Sequence, residues 1–196
     1  MNNKKSDILI CGHSIEEYEN MVEKFHGTKA PGLIIGGFMV DLAEQNLPEG
    51  ELYDVICESM KCLPDAVQIL TPCSIGNGWL KILKIGRFAL TFYNKYTGDG
   101  IRIYLDTEKL KNYSEIYNWF FKITPKQEQD DKALMRQIYE AGTGILSVQK
   151  VKVDPEMSKK KKGTKIGICP ECGEGYPASQ GEMCKVCSRE ITYYEQ

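Results

Sequence analysis

Apolar residues recur at three- and four-residue intervals early in the chain and at every second residue through its middle, and this change of period sets the expected elements. Ser14, Ile15, Glu16 and Glu17 form a capping box, in which the serine and glutamate side chains each accept the other residue's backbone N–H. The helix that follows carries Tyr18, Met21, Val22 and Phe25 on one stripe, and Gly27 is expected to close it in the left-handed conformation. A second helix is expected from Pro31, with Leu33, Ile34, Phe38, Val40 and Leu42 as its apolar positions. Gly36 and Gly37 weaken it, yet they would let another element pack directly on its backbone. Residues 51–58 alternate as a strand marked by Leu52, Val55 and Cys57. Residues 65–70 return to helical spacing, with Ala66, Ile69 and Leu70 on one face and Pro64 at the first turn, where its missing N–H costs nothing.

Further strands are expected at 80–85, 88–94 and 101–105, the last two joined as a hairpin by Tyr96-Thr97-Gly98-Asp99-Gly100. Phe88, Leu90 and Phe92 alternate with Ala89, Thr91 and Tyr93, so both faces of that strand are expected to be covered. A helix starts at Ser114, and another is expected from a second capping-box pattern at Thr124, with Pro125 in its first position, running to residue 141. Residues 145–153 alternate as a last strand. Helices and strands mix without a regular βαβ rhythm, so the expected class is α+β, with a core domain over residues 1–153.

Beyond that point the pattern lapses. Residues 154–165 read as a basic linker, with Pro155, Ser158 and four consecutive lysines, 159–162, before Gly163. Residues 166–196 are too few to bury a core of their own, and they carry Cys169 with Cys172 and Cys184 with Cys187, two C-x2-C pairs separated by eleven residues. Each pair suits a knuckle whose thiolates point at one ion, and two knuckles complete a tetrahedral zinc site. Disulfide-bonded or merely buried pairs, and an iron site of the same geometry, are alternatives the spacing leaves open. Four sulfur ligands leave no open coordination position, so the expected zinc, one per chain, is structural and contributes binding energy on the order of 10–16 kcal/mol to folding.

The net charge of −2 gives no field for nucleic acid or membrane binding. In residues 163–196 three basic side chains face five acidic ones, the wrong sign for a phosphate-backbone partner, while Tyr176, Tyr193 and Tyr194 suit protein contact. The longest apolar run, residues 30–40, is broken by Pro31, Gly32, Gly36 and Gly37 and falls far short of the ~18 residues that cross a bilayer. Ile8-Leu9-Ile10 is too short for the apolar part of a signal peptide. None of the eight cysteines calls for a disulfide, and a reducing cytoplasm is the expected compartment. Cys62 sits just before the 65–70 helix, where the dipole and unpaired N–H groups favour a thiolate. Cys73 follows that helix, in a turn with Ser74, Gly76, Asn77 and Gly78. Two thiols bracketing one short helix would build a wall of a small site, although packing is the commoner role of free cysteine.

The ordered set Phe25-His26-Gly27, Pro31-Gly32-Leu33, Cys62-Leu63-Pro64-Asp65-Ala66-Val67-Gln68, Cys73-Ser74-Ile75-Gly76-Asn77-Gly78 and Gly86-Arg87-Phe88-Ala89-Leu90-Thr91-Phe92, closed by the four-cysteine tail, resembles the E-type accessory family of formylmethanofuran dehydrogenase. The resemblance implies an α+β core followed by a treble-clef zinc finger, often in a dimer, some members accompanying the molybdenum or tungsten enzyme. That family's core motif is H-G-H-x-C-P-G; here it reads His26-Gly27-Thr28-Lys29-Ala30-Pro31-Gly32, so the second histidine and the cysteine are absent. What remains is a candidate cluster of His26, Cys62 and Cys73, with Asp65, Gln68 and Asn77 as polar neighbours. The expected function is that of an accessory protein with a structural zinc finger and a polar core pocket, assembling as a homodimer and with oxidoreductase subunits. The alternative is a stand-alone enzyme in which His26 works with Cys62 or Cys73, as a metal- or thiol-dependent centre holding a second metal in the core.

Overall fold

The computed structural model describes residues 8–48, 52–159 and 163–194. Lys4, Lys5 and Glu51, the lysines at 160–162 and Glu195 lie outside the described residues. The chain divides into two compact units, residues 1–158 and 159–196.

The first unit opens with a two-residue antiparallel pair, β1 (Leu9–Ile10) and β2 (His13–Ser14). Helix α1 (Ile15–His26) follows with the capping box in place: Ser14 accepts from the Glu17 N–H, Glu17 accepts from the Ser14 N–H, and Gly27 closes the helix at φ 89°. Helix α2 (Pro31–Glu44) is apolar around its whole circumference and buries ten residues, because it is the central helix of the unit. It touches α1, the later helices α3 (Leu63–Leu70) and α6 (Asp131–Ala141), and the sheet strand β6 (Asp99–Leu105). Its glycines make this possible. A Cβ added at Gly37 would stand 2.5 Å from Tyr18 Cε1, and one at Gly36 would stand 2.7 Å from Ala66 Cβ. The Tyr18 ring, fully buried, donates its hydroxyl to Leu33 O at 2.8 Å and so closes α1 onto α2.

The five-stranded sheet has the order β4-β3-β5-β6-β7, formed by β3 (Asp54–Cys57), β4 (Leu80–Ile82), β5 (Ala89–Tyr93), β6 and β7 (Leu146–Lys152). Within this sheet β3 and β4 run parallel, joined through α3, and the other pairs are antiparallel. The sheet is therefore mixed, and the class is α+β. All of β5 is buried on both faces, Thr91 included, because it is the middle strand of the sheet. One face packs on the helices; the other holds a smaller cluster of Ile56, Tyr93 and Val153 with Met157 against it. Met157 belongs to a single helical turn, α7 (Pro155–Ser158), in the stretch expected as linker. Lys81 fastens this turn: its ammonium donates to Met157 O at 2.5 Å and to Tyr93 Oη at 2.9 Å, with Asp54 Oδ2 at 3.7 Å.

The helix expected from Thr124 begins instead at Asp131. Asp130 accepts from the N–H groups of Lys132 and Ala133, and residues 126–128 form only a short tight turn. A carboxylate cap satisfying two N–H groups competes well with the threonine pattern six residues earlier. Two short helices, α4 (Thr107–Leu110) and α5 (Ser114–Phe120), connect β6 to that turn, the first of them capped by Asp106. The second unit contains one small antiparallel pair, β8 (Ile166–Ile168) and β9 (Gly175–Pro177).

Replacing Gly37 with alanine is expected to lower stability by about 1–3 kcal/mol, the usual cost of overpacking a rigid site. The Tyr18 ring is fully buried and its hydroxyl is held by Leu33 O, so the clash outweighs the gain in helix propensity. Urea denaturation of the two proteins, compared at equal m-value, measures it.

Candidate functional site

The second unit brings its four cysteines together. One sulfur from each of Cys169, Cys172, Cys184 and Cys187 lies within 4.8 Å of all the others, and Cys172 and Cys184 stand 3.9 Å apart. Four sulfurs about 2.3 Å from a central zinc would be about 3.8 Å from one another, so the donor set and its size fit that ion. The first pair is held by a knuckle in which Gly173 N–H donates to Cys169 O and Cys169 N–H donates to Glu174 O. Gly173 takes φ 75°, a conformation that a side chain would oppose. In the second pair Cys187 N–H donates to Cys184 Sγ at 3.5 Å. N–H groups of Cys172 and Cys184 pull the Cys169 thiol down to about 6, a thiolate at neutral pH. The hydrogen bond that Cys187 donates to Cys184, then burial, pushes the Cys187 thiol up to about 12. Four thiols this close cannot all ionise without a cation between them.

In the first unit the candidate residues divide between the two ends of α3. At its N-terminal end His26 Nδ1, on the last residue of α1, lies 2.7 Å from Asp65 Oδ2, both side chains partly open to solvent. Cys62 occupies the N-cap position with φ 62° and ψ −60°, and Leu63 N–H donates to Lys61 O at 2.7 Å. This is a γ-turn of the rare positive-φ form, a strained conformation for a residue with a side chain. The Cys62 sulfur fills the space over Gly32, 2.9 Å from where a Cβ there would be, and Phe88 closes the same space from another side. Burial and the Asp65 carboxylate push the Cys62 thiol up. The helix-end effect expected to favour a thiolate is therefore outweighed: half-buried sulfur beside a carboxylate keeps its proton.

Cys73 lies at the other end, fully buried, with its thiol 3.4 Å from Tyr53 O. Burial raises its pKa as well. Asn77 and Gln68 serve the turn beside it. Asn77 Oδ1 accepts from Ser74 and Trp79 N–H, its amide nitrogen donates to Pro72 O, and Gln68 Oε1 accepts from Ile75 N–H. The structure thus joins His26 to Asp65 beside Cys62, and joins Cys73 to Tyr53. Among the described residues no second group of three metal-donor side chains gathers as the finger cysteines do. At the positions where the family motif has histidine and cysteine, Thr28 is exposed and Ala30 is the N-cap of α2, contributing no side-chain hydrogen bond.

One charged group beside this region has no counterpart in the sequence reading. Glu58, buried, receives Arg102 in a two-point contact, Nε to Oε1 at 2.7 Å and Nη2 to Oε2 at 3.0 Å, and Arg87 Nε lies 2.6 Å from Oε2. Burial alone would raise the Glu58 carboxyl, but the Arg102 hydrogen bond and the two guanidinium charges hold it below the usual range. The only signal available was Arg87, inside the run that carries the family resemblance.

Comparison with known proteins agrees with the geometry. A family model described as FmdE, molybdenum formylmethanofuran dehydrogenase operon, matches residues 25–153, and an FmdE treble-clef zinc-finger model matches residues 159–194. The crystal structure of a tungsten formylmethanofuran dehydrogenase FmdE-like protein from Syntrophus aciditrophicus is similar with a TM-score of 0.87 and 51% identity, over 95% of this chain and 98% of that one. A probable S-adenosyl-L-methionine-binding protein of Archaeoglobus fulgidus is 28% identical over 170 residues; the match takes in 78% of this chain and spans 46% of that protein's length.

Because Cys62 stays protonated, its alkylation by iodoacetamide at neutral pH is expected to be at least severalfold slower than that of an unhindered thiol, accelerating only above the ordinary thiol range. Asp65→Asn removes one cause of the shift and is expected to speed the reaction. Mass spectrometry of the Cys62 peptide reads both.

Proposed function

The chain belongs to the FmdE family, and on that premise we propose that it is a zinc-containing accessory component of a tungsten- or molybdenum-type formylmethanofuran dehydrogenase, binding its partners rather than turning over substrate alone. The observation that carries this reading is the closed four-sulfur cluster. Cys169, Cys172, Cys184 and Cys187 hold one zinc per chain, which supplies fold to a segment too small to fold on apolar burial. With every coordination position taken by sulfur the ion has nowhere to polarise a substrate. The core supports the same conclusion. Catalysis by thiol needs an activated nucleophile, whereas burial and Asp65 keep Cys62 in its neutral form. His26 and Asp65 form a polar corner for a ligand and together offer only two metal donors. The protein acts in the cytoplasm as a homodimer, and its partners are the oxidoreductase subunits of the enzyme whose operon the family description names.

Two measurements test this. Metal analysis of the purified chain is expected to give one zinc per chain, reduced to none in Cys184→Ser or in a chain ending before Cys169. In both variants the first unit is expected to keep its cooperative unfolding, since its core is apolar rather than metal-dependent. Zinc retained after truncation would place a metal in the first unit and overturn the structural assignment. Mixed with the catalytic subunits of a formylmethanofuran dehydrogenase, the chain is expected to co-elute in gel filtration and to show no turnover when alone. Separate elution at micromolar concentrations would remove the accessory role.

A further inference from the structure

At the end of the sheet away from Cys62, a cavity of about 380 Å³ opens between the loop that follows α2, the β5–β6 turn and β7. That volume falls within the range of small-molecule sites. Its apolar part is formed by Leu47, Leu52, Tyr53 and Ile101, with Val151 at the edge where the strand turns its side chain to the other face. The Tyr53 ring is fixed edge-on against Phe92 at 5.4 Å, with Cys73 hydrogen-bonded to the carbonyl behind it, so this wall is rigid. Leu52 is 68% exposed, an apolar side chain left on the surface. The rim is polar, with Asn46, Asn94, Thr97, Asp99 and Lys150, and among these Lys150 gives the cavity its direction. Lys150 stands directly opposite Ile101 across the β6–β7 pair, so both side chains rise on the same face, and Lys150 has no partner among the described residues. The carboxylate that would neutralise it, Asp99, is held instead by Lys152 Nζ at 2.8 Å.

We propose that this cavity is a binding site for an amphipathic organic anion, with an apolar, preferably aromatic body lying against Tyr53, Leu52 and Ile101 and an acid group meeting Lys150 at the rim. The apolar floor excludes a fully hydrated ion such as phosphate, and the uncompensated ammonium selects acids over amines. The site is lined wholly by residues of the first unit, none of them from the His26–Asp65 corner, and it does not rest on the accessory role.

The test uses the full-length, zinc-loaded chain and three probes of equal shape: naphthoate, naphthalenemethanol and naphthylmethylammonium. In amide-resolved NMR titrations, naphthoate is expected to bind most tightly, with saturable shifts gathered at Tyr53, Ile101 and Val151. Lys150→Gln, on an exposed strand position, is expected to weaken naphthoate about two- to fivefold, the range of a solvent-screened ion pair, and to leave naphthalenemethanol unchanged. Leu52→Gln is expected to weaken both. Absent or scattered shifts would overturn the site. Equal or tighter binding of the ammonium probe, or an unchanged naphthoate-to-alcohol ratio in Lys150→Gln, would overturn the anion assignment.

Discussion

Three glycines on α2 set how near the rest of the first unit can come to its centre. Gly32, Gly36 and Gly37 lie on a helix that is buried nearly throughout, and each receives a neighbour where a side chain would otherwise be: Cys62, Ala66 with Leu63, and Tyr18. Glycine is a poor helix residue, costing ~1 kcal/mol each relative to alanine. The cost is offset by contact at backbone distance, which places α1 and α3 side by side on α2. That placement, in turn, brings the last residue of α1 to the first turn of α3 and creates the His26–Asp65 pair. The polar corner is thus a by-product of close packing several residues away, and a larger side chain in the stripe would separate its halves.

The two units are stabilised by different physics. The first buries a continuous apolar cluster drawn from every helix longer than one turn and from all five strands of its sheet. It also keeps two buried carboxylates, Asp54 beside Lys81 and Glu58 held by Arg102 and Arg87, and losing the two-point Arg102 contact would leave Glu58 only the more exposed Arg87. The second unit buries little beyond Cys169 and Tyr176, and leaves Ile166 and Ile168 largely in water. It has a metal site in place of a core.

Much of this was legible in the sequence because the signals were local. The capping box at Ser14 and the left-handed Gly27 need only neighbouring residues, and both are present. The β5–β6 hairpin, the strand expected over 80–85 and present over 80–82, and the C-x2-C pairs are likewise short-range patterns. The family resemblance, matched over residues 25–153 and 159–194, rested on ordered short motifs. Long-range facts were not legible. Cys62 and Cys73 look adjacent when read as a bracket around one helix, yet an eight-residue helix is roughly 12 Å long, and Cys62 packs over Gly32 at one end while Cys73 meets Tyr53 O at the other. The partnering of Glu58 with Arg102 spans 44 positions and leaves no periodic trace. The start of α6 was misplaced because two capping patterns compete within seven residues and only the tertiary context, with Gln129 donating back to Thr124 O, selects the later one.

Lys81 extends the first unit past its last strand. Its ammonium pins Met157 to the outermost parallel strand, so the stretch leading toward the zinc unit starts only after residue 158. Were that single charge neutralised, the turn at residues 155–158 would lose its tie to β4 and rest on the packing of Met157 against Ile56, Tyr93 and Val153, and the last backbone bond to the β5–β6 turn would be the one from Val153 to Gly98.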